Sequence, residues 1–202
     1  MENCFEKISE SILEQEFSII DNFLSEDLAA ALLLEAQADY LAGEFDKAKI
    51  GKGIEKKRIS EIRGDEVKWL QRDAATKAQL DFWNILDGIR AHLSEFFRIH
   101  LERSEHHFAI YPPGSFYTKH LDQFQGAANR IFSVILYLNP AWKKGDGGEL
   151  RIYLPGDQHM DVEPLYNRLI IFKSDSVEHE VLLSHSHRTS LTGWIRRDKL
   201  IY

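Results

Sequence analysis

Four residues in the second half of the chain have the types and spacing for metal and anion chemistry: His120, Asp122, His179 and Arg188. His120 and Asp122 lie two apart, His179 follows 57 residues after Asp122, and Arg188 nine residues after that. On a strand, positions two apart share a face, so one imidazole and one carboxylate can reach a single ion. A second histidine from a distant strand would complete a two-His-one-carboxylate facial set. That set suits non-haem Fe(II) and leaves coordination positions open. Two of them could take the keto oxygen and C1 carboxylate of 2-oxoglutarate, leaving one for O2. The distal carboxylate of such a cosubstrate needs a fixed cation, and the planar guanidinium of Arg188 offers paired donors. Tyr137 and Thr192 are the candidate hydroxyl partners. Pattern alone makes Tyr137 equally a core aromatic.

A lone His-x-Asp occurs often by chance, so context must carry it. Four histidines could supply the third ligand: His159, His179, His185 and His187. His159 sits just after a turn, where exposure is expected. His185 and His187 flank Ser186 and could together hold a metal in a turn. His179 opens the run HEVLL, expected to pair as a hairpin with RTSLTGW and so place Arg188 on the same pocket wall.

The elements around these residues divide in two. Residues 5–16 and 25–42 carry helical patterns, with Ser25 as N-cap, Glu26 and Asp27 in the first turn and Gly43 as the stop. Phe17-Ser-Ile-Ile-Asp21 reads as a short strand. From Asp73 to about His100 an apolar stripe through Leu80, Trp83, Leu86, Ile89, Leu93 and Phe97 predicts a long support helix. Its His92 and His100 are expected at packing or surface positions. After residue 104 come short strands, at 106–112, 116–121, 131–138, 148–153, 158–162, 168–173, 178–183 and 188–196. Asn139-Pro140, Gly145-Asp-Gly-Gly148 and Pro155-Gly156-Asp157 punctuate them. Strands at this spacing predict a barrel or jelly roll, and helices followed by strands give an α+β layout. The expectation is one domain over 1–202, with helical support over 1–104 and a jelly-roll core over 105–198.

Composition narrows the function. With 202 residues, 44% of them hydrophobic, one sizeable core is affordable. The net charge of -7 argues against nucleic acid as the partner. Cys4 is the only cysteine, which excludes an intrachain disulfide and a thiolate zinc site. No signal-peptide layout and no run near the roughly 18 apolar residues of a membrane span is present, so a soluble, cytoplasmic protein is expected. Residues 46–62 change character: six of the thirteen from Asp46 to Arg58 are Lys or Arg, two are acidic and two are Gly. They read either as a solvated surface loop or as a flap beside the site that would suit an acidic partner segment. Arg63-Gly64-Asp65 reads as a turn with local hydrogen bonding.

Several motifs in order make a more specific signal than His-x-Asp. They are IIDNFL, IRGDEVKW at 62–69, YPPG at 111–114, YTKHLD, Tyr137-Leu-Asn139, GGELRI at 147–152, RLIIFKSD before His179, and RTSLTGW at 188–194. Together they resemble the hypoxia-inducible-factor prolyl hydroxylases and their bacterial relatives, within the Fe(II)/2-oxoglutarate dioxygenases. The likeness runs from about Phe17 to Asp198.

The resemblance implies a double-stranded β-helix with N-terminal supporting helices. It implies iron on His120, Asp122 and His179, and 2-oxoglutarate held by Arg188 and Tyr137. Tyr111 would lie against the cosubstrate, with Tyr117, Leu150 and Trp194 lining the pocket. Arg130 and the 46–65 segment would face the substrate, with Arg63 and Asp65 anchoring that segment. The implied cofactors are Fe(II), 2-oxoglutarate and O2, with ascorbate as a stimulant. The implied reaction is C4 hydroxylation of a prolyl residue in an extended loop of a partner protein, with release of succinate and CO2. A translation elongation factor is the partner that bacterial relatives suggest. One departure is DQFQGAANR after the metal-binding position, which lacks the family's usual Asn-Pro. The competing readings are hydroxylation of a free amino acid or small metabolite, and a non-catalytic metal-binding sensor.

Overall fold

The computed structural model describes residues 2–48, 62–123 and 129–197. Most of the basic segment and the middle of the 123–129 segment lie outside the described residues. In chain order the elements are α1 (Glu2–Gln15), β1 (Phe17–Ile20), α2 (Glu26–Leu41), β2 (Asp46–Lys47), β3 (Glu66–Trp69) and α3 (Lys77–Phe96). Eight strands follow: β4 (Arg103–Tyr111), β5 (Tyr117–His120), β6 (Arg130–Tyr137), β7 (Leu150–Leu154), β8 (Gln158–Val162), β9 (Leu169–Lys173), β10 (His179–Val181) and β11 (Arg188–Arg196).

The strands form two antiparallel sheets. The larger has the order β1-β9-β6-β11-β4-β3-β2, and the smaller β5-β10-β7-β8. Strands 6 and 9 read as almost continuous apolar runs because both faces of the large sheet are covered. Phe132, Val134, Leu136, Leu169, Ile171, Leu191 and Ile195 join Phe82, Leu86, Ile89 and Leu93 of α3 in one core. The alternate residues Ile135, Tyr137, Ile170 and Phe172 meet Leu150, Ile152, Val162 and Val181 of the small sheet in a second. The period-two alternation of strands thus splits one sequence run between two cores. This is the double-stranded β-helix, a jelly roll rather than a closed barrel.

Local chemistry fixes the helices. Ser25 caps α2 by accepting from the Leu28 amide, and Thr76 caps α3 by accepting from Gln79. The long helix is therefore shorter than the expected 73–100. A 3-10 turn at Arg72–Ala74 precedes its cap, and Arg98 with φ of 53° ends it. Gly43, with φ of 73°, follows the end of α2 as expected. His92 packs beside Phe5 and Phe96, and His100 is exposed and paired with Glu102. No helix among the described residues is long and apolar enough to cross a membrane.

One pairing differs from expectation. β10 does not form a hairpin with β11. Instead β10 pairs with β5 and β7 in the small sheet, whereas β11 lies between β4 and β6 in the large one. The turn from Leu182 to His187 crosses between sheets, and Gly147, bridged to Ser184, fits this crossover closely. A Cβ on Gly147 would stand 2.1 Å from the Leu183 carbonyl oxygen. A sequence pattern shows that two strands follow one another but not which sheet each enters.

Two predictions concern β4, where it packs between β11 and α3. A Cβ on Gly193 would stand 2.1 Å from both the Glu105 carbonyl oxygen and Nδ1 of His106. Gly193→Ala should therefore cost roughly 3 kcal/mol or more in chemical denaturation. His106 is 1% exposed, against Phe82 and Trp83, and burial pushes it from 6.5 down to about 3, with Asp87 opposing weakly. Between those values the unfolded chain binds a proton that the folded chain refuses, so stability falls as pH falls from 6.5 toward 3. His106→Leu should flatten that fall in denaturation measured across the same window.

Candidate active site

The two sheets enclose a cavity of about 310 Å3, open on the side of Asp46, Lys47 and Trp69. His120 ends β5 and His179 begins β10, directly opposite each other in register. Asp122 lies beyond the end of β5 rather than on it, so strand alternation is not what aims its carboxylate. The Gln123 amide donates to the Ser174 carbonyl at 2.9 Å, and Ser133 Oγ donates to Asp122 Oδ2 at 2.6 Å. The result brings His120 Nε2 to 3.6 Å from Oδ1 and His179 Nε2 to 3.8 Å from Oδ2. One ligand atom from each residue lies within 4.8 Å of the others.

Protonation suits a cation. Nδ1 of His120 contacts the Thr118 carbonyl at 2.7 Å, and Nδ1 of His179 the Val177 carbonyl at 3.0 Å. A carbonyl only accepts, so each Nδ1 carries a proton, which leaves each Nε2 as the ring nitrogen that faces the carboxylate. Burial pushes His179 down to about 4, against the pull of Asp122, and keeps it neutral. Burial also pushes the Asp122 carboxyl up, but His179, His120 and the Ser133 hydroxyl outweigh it and hold it well below the usual range. Two imidazoles and an ionised carboxylate are the donor set for a divalent ion. His159, His185 and His187, the other histidines considered for this role, are exposed and stand outside the cluster.

Across the cavity Arg188 is 2% exposed. Its guanidinium lies over the rings of Tyr111 at 4.8 Å and Tyr137 at 4.9 Å. Among the described residues no carboxylate lies within ion-pairing distance of it. Asn139 secures the start of this strand by accepting from the Thr189 amide and donating to the Thr189 and Pro164 carbonyls. Gly148 leaves room for the arginine stem, since a Cβ there would meet Arg188 Cδ at 2.9 Å. Tyr137 is fully buried and sits under Arg188 behind the cavity wall, while Tyr111, Leu150, Thr192 and Trp194 line it. The Tyr137 hydroxyl has no hydrogen bond of ordinary length. Burial pushes its pKa up, with the Arg188 charge opposing.

The mouth is built from charge and aromatic faces. Arg63 reaches Asp65 through two bonds of 2.6 and 2.5 Å and lies over the Tyr117 ring at 4.3 Å. Residues 62–64 also bond to the β5 backbone, through Thr118 to Ile62 and Gly64 to Phe116. The pair thus pins the return of the basic segment to the strand that carries His120. Arg130 covers the Trp194 ring at 3.4 Å and donates to the Asp122 carbonyl. Of the individually named site residues, all but Tyr137 border the cavity, and of the 46–65 segment, residues 49–61 lie outside the described residues.

Sequence reasoning missed Trp69, His107 and Ser133. Trp69 and His107 face each other at 4.7 Å on neighbouring strands and flank Trp194. The register Trp69↔His107 and His107↔Thr192 would have exposed them, but register is not written in spacing. Ser133 had a usable signal, as the polar residue inside the apolar run from Ile131 to Leu136.

Comparison with known proteins agrees with this geometry. The family model described as the 2OG-Fe(II) oxygenase superfamily matches residues 106–196. The hypoxia-inducible factor prolyl hydroxylase of Caenorhabditis elegans is 31% identical over 97% of this chain, which spans 29% of that protein's length. Prolyl hydroxylase EGLN3 of Homo sapiens is 30% identical over 95% of this chain and 82% of its own. A solved prolyl-4-hydroxylase of Pseudomonas putida superposes with a TM-score of 0.87 at 36% identity, covering 96% of this chain and 99% of that one.

The geometry generates one direct test. His179→Ala should abolish binding of Fe(II) or Mn(II) measured by calorimetry, while His185→Ala and His187→Ala bind as the parent does. Loss of metal in His185→Ala with retention in His179→Ala would move the centre to the crossover turn.

Proposed function

Because this chain belongs to the prolyl hydroxylase-like 2OG-Fe(II) oxygenases, we propose that it hydroxylates a prolyl residue, at C4, in a partner protein. The observation that carries the reading is Arg188, a buried cation with no counter-ion among the described residues, in the same cavity as the His-Asp-His cluster. Leaving a charge buried and unpaired costs several kcal/mol, on the order of 3–5 when a partner is absent. A cavity that keeps such a charge is built for an anionic ligand. A sensor that only binds metal has no use for it.

In this reading His120, Asp122 and His179 hold Fe(II), and Arg188 pairs the distal carboxylate of 2-oxoglutarate. Bound there, the metal with 2-oxoglutarate and O2 supplies the oxidising power, and 2-oxoglutarate leaves as succinate and CO2. The protein's share is placement and exclusion of water. Tyr111 and Tyr137 flank the guanidinium and keep bulk solvent from it, so its bond to a carboxylate is not weakened by screening. Thr192 and Leu150 border the same space and set its width. Arg130 on Trp194, with Tyr117 beside Arg63, forms the wall that an extended substrate segment would meet.

The target in this reading is an extended loop of the partner, a reading supported by the exposed cavity lining at Asp46, Lys47 and Trp69. The basic composition of 46–58 favours acidic residues beside the target proline. A translation elongation factor and a cytoplasmic location belong to the proposal on the strength of the resemblance to bacterial relatives.

Host proteins compared with and without the enzyme should show a proline gaining one oxygen by mass spectrometry, and turnover should release succinate. Succinate formed only with a free amino acid would replace the protein substrate by a metabolite. Arg188→Lys should raise the 2-oxoglutarate KM about 10- to 100-fold, since a charge-assisted bond is worth roughly 1.5–3 kcal/mol and lysine cannot pair two oxygens. An unchanged KM would place that carboxylate elsewhere.

A further inference from the structure

Asp122 is the metal-site residue that no strand holds, and two serines stand where a strand would be. Ser133 on β6 and Ser174, just after β9, are both 0% exposed. Their hydroxyls are 2.8 Å apart, and Ser133 Oγ is 2.6 Å from Asp122 Oδ2. An ionised carboxylate only accepts, so the single Ser133 proton goes to Asp122. Ser133 must then accept from Ser174. The direction of the chain is fixed: Ser174 to Ser133 to Asp122.

Ser174 also acts through its backbone. Its amide donates to the Ile131 carbonyl at 3.0 Å, and its carbonyl accepts from Gln123 at 2.9 Å. It thereby grips the segment carrying Asp122 at the main chain next door, and at the carboxylate through Ser133. Ser133 lies on the large sheet and Ser174 directly follows its strand β9, whereas His120 and His179 lie on the small sheet. We propose that the Ser174–Ser133 relay is the positioning device of the metal centre. It fixes the rotation of the Asp122 carboxylate, turns Oδ1 toward His120, and links the ligand set across the two sheets. Hydrogen bonds in series polarise one another, so the pair holds the carboxylate more firmly than one hydroxyl would.

The proposal concerns the metal site alone and stands apart from the identity of the substrate. The test is calorimetric titration of the apoprotein with Mn(II), alongside thermal melts of the same samples. Ser133→Cys keeps nearly the same volume and replaces the hydroxyl with a weak donor, and Ser133→Ala removes the donor. Loss of a group that orients a ligand typically weakens metal 10- to 100-fold, so both variants should bind Mn(II) about that much more weakly. Ser174→Ala should lose less, because Ser133 keeps its bond to the carboxylate. A purely packing role would leave Ser133→Cys close to the parent. An Mn(II) affinity within about twofold of the parent in folded Ser133→Cys overturns the relay. If Ser133→Ala fails to fold, Ser133→Cys and Ser174→Ala decide. No Mn(II) binding by the parent would overturn the metal site itself, and absence of prolyl hydroxylation would bear on neither.

Discussion

The arrangement depends on how a guanidinium is kept at 2% exposure with no carboxylate of the described residues beside it. Water normally solvates such a group, and here two tyrosine faces, a glycine and a strand start secured by Asn139 take water's place. Cation–π contact returns part of the lost hydration but supplies no hydrogen bonds. The packing that imposes this cost also makes the site selective. An anion that reaches Arg188 enters a region where its charge is barely screened. The large sheet, sealed on its far side by α3, exists in part to make that region dry.

The metal cluster solves a different problem. Two histidines share a register line in the small sheet, each turned by a carbonyl two residues before it. Their geometry follows from backbone regularity. The carboxylate comes from an irregular stretch and needs side-chain support. Fold and site therefore meet at Ser133, on a strand of the large sheet, and Ser174, just past the end of another, which together reach the carboxylate beside the two histidines of the small sheet.

Much of this was legible in the sequence, for identifiable reasons. Strand periodicity placed the apolar runs, and caps and glycines placed the ends of α2. The types and spacing of His120, Asp122, His179 and Arg188 singled them out, and the fold brings all four to one cavity. Sheet membership was not legible. HEVLL and RTSLTGW look like a hairpin because they are adjacent strands, yet a six-residue crossover at 182–187 sends them to different sheets. That choice is made by long-range packing. The inference that Asp122 sits on a strand with His120 had the right outcome through the wrong mechanism, since serine hydroxyls and a neighbouring amide do the aiming. The wall of Trp69, His107 and Trp194 was invisible for a related reason. It exists only through a register across three strands.

The central position of β11 has a consequence for how the chain acquires its chemistry. It follows every other strand in sequence, yet it fills the gap between β4 and β6 in the middle of the large sheet. Contacts of such long sequence separation form slowly, because loop closure precedes their reward. During synthesis β5, β7 and β10 leave the ribosome before it, so the two imidazoles can come together in a half-built chain. The anion pocket has no precursor, because Arg188, Thr192 and Trp194 all ride on the strand that arrives last. A nascent chain can thus gather the two histidines before the buried cation across the cavity is in place, and the two halves of the pocket face each other only when the sheet is closed.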